Sequence, residues 1–358
     1  MPPVTQNAHD LRVEVFRVEE GLGNAILLQF PDDTCAIVDW GTQSDEALRL
    51  VLDRTRKGIR IVVATHDHAD HTLGLAELFD ACKASQIRID RFAYPTSHLR
   101  RRCHLSRARL KARELDIPTS SIGIRTGPDG RSRIECLAFD PGSWEMSVVA
   151  PLTTDAAELE VSSFLHNRAA GNRSSAVVLF AFLNPQQNAV RGAGKVLLPG
   201  DATNALLSQA AQIAQENNTD LHNQLLVVPH HGGSKVVPGW LNDYVHGIAV
   251  ISGRTNSPHH PAMTTLQSLA LQTCCGTPKR LFCTSYAQAC RNRFASESKK
   301  HERHLVGEGP CFGHLTFRVP RDQPATLKSS SDPGEQRRPF GWCGNTGPHP
   351  FGCAPKTL

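Results

Sequence analysis

No apolar run in the 358-residue chain approaches the length of a membrane span. The opening Met1-Pro2-Pro3-Val4-Thr5-Gln6-Asn7 has neither the basic nor the apolar segment of an export signal, so a cytoplasmic protein with no membrane partner is expected. Aromatic residues make up only 6% of the chain, which leaves few rings on which unpaired bases could stack. The eleven cysteines are odd in number and include no Cys-x-x-Cys pair. That pattern disfavours a secreted disulfide framework and suits buried thiols. A net charge of +5 is too small to point to nucleic acid by itself.

What is present is ample core material, 40% hydrophobic against 20% charged, enough for one large α/β domain with appendages. The chain opens with alternating and apolar segments, Leu11–Val18, Ala25–Phe30 and Cys35–Asp39, separated by Gly- and Pro-containing turns, which read as a β-meander. A helix is expected from Ser44 to Lys57 with Ser44 as its N-cap, and a second from Gly74 to Lys83. Further strands are expected at Trp144–Pro151, at 171–180 and at Lys195–Leu198. Others should cover Leu225–Val228, Ala249–Ser252, Arg280–Thr284 and Gly313–Val319. Arg100, Arg101, Arg102, Arg107, Arg109, Lys111 and Arg113 crowd a probable helix, which is either a phosphate-tracking face or an ordinary solvated one. Beyond Pro320 the composition turns to Pro, Gly, Ser and basic residues, so residues 321–358 are expected to be a flexible tail after a domain of residues 11–320. Cys343, His349 and Cys353 in that tail lack a fourth ligand at useful spacing.

The chemistry gathers where Ile61-Val62-Val63-Ala64-Thr65 runs into His66-Asp67-His68-Ala69-Asp70-His71. An apolar strand that ends in three histidines and two aspartates can aim His66 and His68 at one ion, and Asp70 and His71 at a second position. Imidazole and carboxylate donors suit Zn²⁺, Mn²⁺ or Fe, and phosphate-ester hydrolases often hold two ions about 3.5–4 Å apart. The bland alternative is a solvated loop rich in histidine.

This hexapeptide resembles the HxHxDH signature of the metallo-β-lactamase superfamily. The resemblance implies a four-layer αββα fold with metals at the edge between two β-sheets. Val18–Leu27 and Leu225–Ser234 are similar to segments of ComEC-type domains, the hydrolase part of the DNA-uptake channel, and Asn24 stands where that branch commonly has Asp. Asp39-Trp40-Gly41 resembles a motif whose aspartate supports the metal loop, and Leu197-Leu198-Pro199-Gly200-Asp201-Ala202 one whose aspartate bridges two metals. In Pro229-His230-His231-Gly232 the resemblance favours His231 as a ligand and His230 as a neighbouring or proton-transfer group, with the reverse assignment open. Ser252, Asn256 and His260 fall on the polar positions of a last motif, Ser252 and Asn256 as substrate contacts and His260 as a proton donor. Many members carry a third histidine for the first ion where this chain has Asn172, with His166 the only nearby histidine; Asn172 then reads as a substrate contact.

The resemblance therefore implies His66, His68, Asp70, His71, Asp201 and His231 as ligands of two divalent ions, Zn or Mn, with one ion weakly bound. Asp70, His230 and His260 are the catalytic candidates. The function it implies is a phosphodiesterase or nuclease acting on DNA or RNA through a metal-bound hydroxide. A small-molecule hydrolase of lactones, thioesters or β-lactams uses the same loop, and a non-catalytic binding module keeps the same fold.

Overall fold

The computed structural model describes residues 10–16, 23–95, 103–151, 172, 174–186, 189–233, 240, 243–252, 262, 265, 280–284 and 314–330. The first half runs β1 (Leu11–Val15), β2 (Ala25–Gln29), β3 (Cys35–Trp40), α1 (Asp45–Arg54), β4 (Ile59–Val63), α2 (Ala69–Thr72), α3 (Leu75–Ala84), β5 (Phe92–Pro95), α4 (His104–Glu114) and β6 (Thr119–Ile122). A small ribbon of β7 (Arg125–Thr126) and β8 (Ser132–Arg133) leads into β9 (Glu135–Asp140) and β10 (Trp144–Ala150). Then come β11 (Val177–Phe182), β12 (Lys195–Leu198), α5 (Asn204–Glu216), β13 (Asn223–Val227), β14 (Val245–Ile251), β15 (Arg280–Cys283), β16 (Leu315–Val319) and β17 (Thr326–Ser330).

Two sheets form, eight strands in the order β17-β16-β1-β2-β3-β4-β5-β6 and seven in the order β15-β14-β13-β12-β11-β10-β9. Strand alternation decides what each face touches. In β2, Ile26 and Leu28 join the core between the sheets, whereas Ala25 and Leu27 face a cluster with Val51 of α1, Phe79 of α3 and Leu105 of α4. In β13, Leu225 and Val227 point into the same inter-sheet core, and Leu226 packs outward with Leu207 and Ala210 of α5. Both faces are dry, so these strands read in sequence as unbroken apolar runs. The layers are helix, sheet, sheet, helix, as expected for an αββα sandwich. Phe30 of one sheet's edge turn stacks on Trp144 of the other with ring centroids 4.0 Å apart, and Phe180 continues the stack.

Helix α1 starts at the expected cap, with Ser44 Oγ accepting from the Ala47 amide at 3.3 Å. The tail, in contrast, begins later than residue 321. Thr326–Ser330 pairs antiparallel with β16, Leu327 packs against the inter-sheet core, and Asp322 accepts from the Gln186 amide. Strand pairing thus reaches residue 330. One apolar side chain in an otherwise polar strand was too weak a pattern to reveal this, because an edge strand needs only one dry contact.

Strand direction places the functional residues. β3, β4, β5 and β6 are mutually parallel in one sheet, and β12, β13, β14 and β15 in the other. The loops after β4, β12, β13 and β14 therefore leave the sandwich at one end. These loops carry His66–His71, Asp201, His230–His231 and Ser252.

Candidate metal centre

Asp201 is the centre of the site, almost fully buried, with its two oxygens facing different groups. Oδ1 lies 3.0 Å from His71 Nε2 and 3.5 Å from His231 Nε2, and His231 Nε2 is also 3.5 Å from Asp70 Oδ2. Oδ2 lies 3.6 Å from His66 Nε2, 4.0 Å from His68 Nδ1 and 3.8 Å from His230 Nε2. Two ligand clusters result, Asp70/His71/Asp201/His231 and His66/His68/Asp201, with Asp201 common to both. All six residues expected as ligands come together.

Backbone geometry delivers them. Gly200 adopts φ +54°, and a Cβ there would stand 2.5 Å from Ser175 Oγ and 2.6 Å from Thr65 Oγ1, so the turn that presents Asp201 accepts only glycine without displacement. Ser175 Oγ in turn accepts from the Asp201 amide at 3.0 Å. Asp39, itself at φ +60°, accepts from the Thr65 amide at 2.7 Å, from Thr65 Oγ1 at 2.9 Å and from His71 Nδ1 at 2.6 Å. These hydrogen bonds tie the loop to β3 and leave His71 Nε2 facing inward. Thr65 extends this control to His66: having given its proton to Asp39, its hydroxyl accepts from His66 Nδ1 at 3.1 Å, which leaves Nε2 facing Asp201. Thr65 and Ser175 were not legible as site residues, because a lone hydroxyl beside a motif carries no spacing signal. Replacing Asp39 with Asn would aim an amide donor at groups that already donate. Asp39→Asn is expected to weaken metal affinity by roughly 10–100-fold, measured by zinc titration.

His230 and His231 both lie in the left-handed region at φ +51°. His231 gives its Nδ1 proton to the Ser252 carbonyl at 2.8 Å and turns Nε2 to Asp70 and Asp201, so the pair is not reversed with respect to the second cluster. Ser252, expected as a substrate contact, is buried with its hydroxyl donated to the Gly23 carbonyl and its carbonyl accepting from His231. Asn172 is buried with Nδ2 3.1 Å from His230 Nε2. Asn256, His260 and His166 lie outside the described residues, as do Arg100, Arg101 and Arg102.

Among the described residues of the expected basic face, Arg107, Arg109 and Lys111 are engaged in contacts within the fold. Arg107 pairs with Glu77 at 2.8 Å, Lys111 with Asp80 and Glu114 at 3.3 and 2.9 Å, and the Arg109 guanidinium lies 4.7 Å from the Tyr94 ring centre. These contacts tie α4 to α3 and β5.

Charge at the centre calls for a cation. Burial works to raise Asp201, yet the charges of His71 and His231 hold it well below the usual carboxylate range. Burial works the same way on Asp70, which the His231 hydrogen bond and the charge of His71 keep low. Against the cost of burial, Asp39 and Asp201 raise His71 well above an ordinary imidazole, and Asp201 and Asp70 raise His231. Burial, with His66 beside it, lowers His68. A divalent ion held by such a donor set takes the place of the protons on its imidazoles. His66 Nε2 is buried without a hydrogen-bond partner, 3.6 Å from Asp201 Oδ2. That is too long for a hydrogen bond and close to the roughly 3.3–3.6 Å between two ligands of a tetrahedral zinc. The residues fit divalent metal.

Residues 18–166 match the model of the metallo-beta-lactamase superfamily, and the αββα sandwich with its ligand loops at one end is that fold. Superfamily members typically bind divalent metals, and the His/Asp cluster is compatible with them. The chain can be superposed on the metallo-beta-lactamase fold protein YhfI from Bacillus subtilis, with 10% identity over 81% of this chain and 92% of that one and a TM-score of 0.40. It also matches a diphosphatase from the PhnP family, with 11% identity over 87% and 99% of the two chains and a TM-score of 0.39. A long form RNase Z from yeast matches with 10% identity over 82% of this chain and 44% of that one, and a TM-score of 0.41. No curated protein matches the sequence. Among the described residues no helix is long and apolar enough to cross a membrane.

Proposed function

We propose that this chain is a two-metal phosphodiesterase and that its substrate is a polynucleotide. The observation that carries the hydrolytic reading is the division of Asp201, one oxygen to the His66/His68 cluster and the other to the Asp70/His71/His231 cluster. Two divalent ions held there would activate water at neutral pH and neutralise charge on the entering and leaving oxygens of a phosphoryl displacement.

The chain's own residues supply the rest. Asp39 and Thr65 fix the tautomers of His71 and His66, and the Ser252 carbonyl fixes that of His231, so three Nε2 atoms point inward before any ligand arrives. Asp70 keeps a quarter of its side chain exposed while its Oδ2 faces His231, leaving its other oxygen placed to accept a proton from water. Proton delivery to the leaving oxygen would fall to His230 or His260.

Nucleic acid as substrate is supported by the likeness of Val18–Leu27 and Leu225–Ser234 to ComEC-type segments. The internal pairing on α4 favours a second reading, a small phosphate or carboxylate ester, because Arg107 and Lys111 are already paired with carboxylates of α3. The test is the metal-stripped protein reloaded with Mn²⁺ or Zn²⁺ and offered labelled single- and double-stranded DNA, RNA and bis-p-nitrophenyl phosphate, beside a His68→Ala variant. Expected is cleavage of a polynucleotide that chelator abolishes and the variant lacks. Cleavage of the model diester alone would move the substrate to small esters, and cleavage of neither, with metal bound, would end the hydrolase reading.

A further inference from the structure

The first ion is short of donors. Among the described residues His66 and His68 are the only imidazoles of the tight cluster, and Asn172 lies beside His230. Three imidazole nitrogens nonetheless surround Asp201 Oδ2 at 3.6, 4.0 and 3.8 Å, those of His66, His68 and His230. The other oxygen has its own set in His71 and His231. Resting on the two-ion reading above, we infer that His230 is the third imidazole ligand of the first ion, so that His230 and His231, adjacent in sequence, each serve a different ion.

The backbone makes this division possible. Two successive residues at φ +51° form a short left-handed turn, in which side chains diverge by about 100°, as in any helix of 3.6 residues per turn. His231 is pinned toward Asp70 by the Ser252 carbonyl. His230 then points to the other side of Asp201, and its amide, donating to the Gly200 carbonyl at 2.9 Å, locks it to the very turn that carries Asp201. The same Nε2 lies 3.1 Å from Asn172 Nδ2. One lone pair cannot serve both, so Asn172 and the ion compete for His230, and the ring must leave the amide to join the His66/His68 cluster. That competition makes the first ion the weaker of the two.

A ligand and a proton donor differ in what their loss does to metal binding. The experiment is calorimetric titration of the metal-stripped full chain with Zn²⁺ for wild type, His230→Ala, His230→Gln and His231→Ala. Wild type is expected to take up two ions of unequal affinity. Both His230 variants should lose at least about tenfold in the weaker step and keep the stronger one, and His231→Ala should do the reverse. Two unaltered binding steps in the His230 variants would overturn the inference and leave the two-ion reading standing. Failure of wild type to bind any zinc would overturn both. If the variants do not fold, the ¹⁵N resonance of His230 Nε2 in the wild-type chain decides, since ligation must shift it as the weaker step fills and an unmoved resonance refutes it.

Discussion

Asp201→Ala is expected to abolish hydrolysis, on the order of a thousandfold or more, and to release both ions in one step. The size follows from the several kcal/mol that a metal pair contributes to phosphoryl transfer, at about 1.4 kcal/mol for each factor of ten. Its distinguishing mark is simultaneity, because Asp201 is the one residue common to both ligand clusters. A ligand of one cluster, such as His68, should cost one ion and leave the other. Asp201→Asn separates charge from shape: it retains an oxygen toward one cluster but presents an amide to the other, so one ion should survive at reduced affinity. Zinc content after dialysis, measured beside circular dichroism to establish folding, reads all three. Retention of two ions by Asp201→Ala would remove the bridging role and with it the geometry on which the phosphodiesterase reading stands.

Much of this centre was legible in the sequence because strand and ligand signals coincide there. An apolar run with both faces buried is recognisable as a strand, and donors crowded at its end point to a metal, which singles out His66, His68, Asp70 and His71; Asp201, a lone carboxylate after a glycine turn, was marked only by its resemblance to the superfamily's bridging motif. Adjacent identical residues defeat such reasoning. Nothing in Pro229-His230-His231-Gly232 says which ring faces which ion, because the answer lies in two left-handed backbone angles and in the carbonyl of Ser252, a residue twenty-one positions later. Ser252 was equally opaque: a hydroxyl at a strand end gives no sign in sequence that its proton is committed to the Gly23 carbonyl, beside the other sheet. Likewise, α4 reads as a basic face because Glu77 and Asp80, which neutralise Arg107 and Lys111, lie about thirty residues earlier on α3. In each case the deciding contact is distant in sequence.

Glycine tests the remaining link, between backbone packing and ligand position. A Cβ on Gly41 would sit 1.8 Å from the Asp70 carbonyl oxygen and 3.0 Å from the His71 amide nitrogen, backbone atoms with no rotamer through which to retreat. The same carbonyl accepts from the Asn24 amide at 2.9 Å, and Gly41 donates to Asn24 O at 2.9 Å, so β2, β3 and the metal loop are knotted at this point. Gly41→Ala must push Asp70 and His71 outward by more than an ångström or break the knot. Thermal unfolding is expected to report a loss of about 3 kcal/mol, typical of overpacking against backbone. Because a displacement of about 1 Å costs on the order of a hundredfold in a positioned reaction, activity should fall by at least that much. The ion held by Asp70 and His71 should weaken before the one held by His66 and His68. Gly130→Ala is the control: its φ of +74° strains an alanine, but nothing lies within 4 Å of the new Cβ, so stability should drop slightly with zinc binding untouched. Equal zinc binding in Gly41→Ala and wild type would mean that the loop holds its shape without the knot. Asp39 and Thr65 would then be the only braces of His66 and His71, and Asp39→Asn would become the more damaging change.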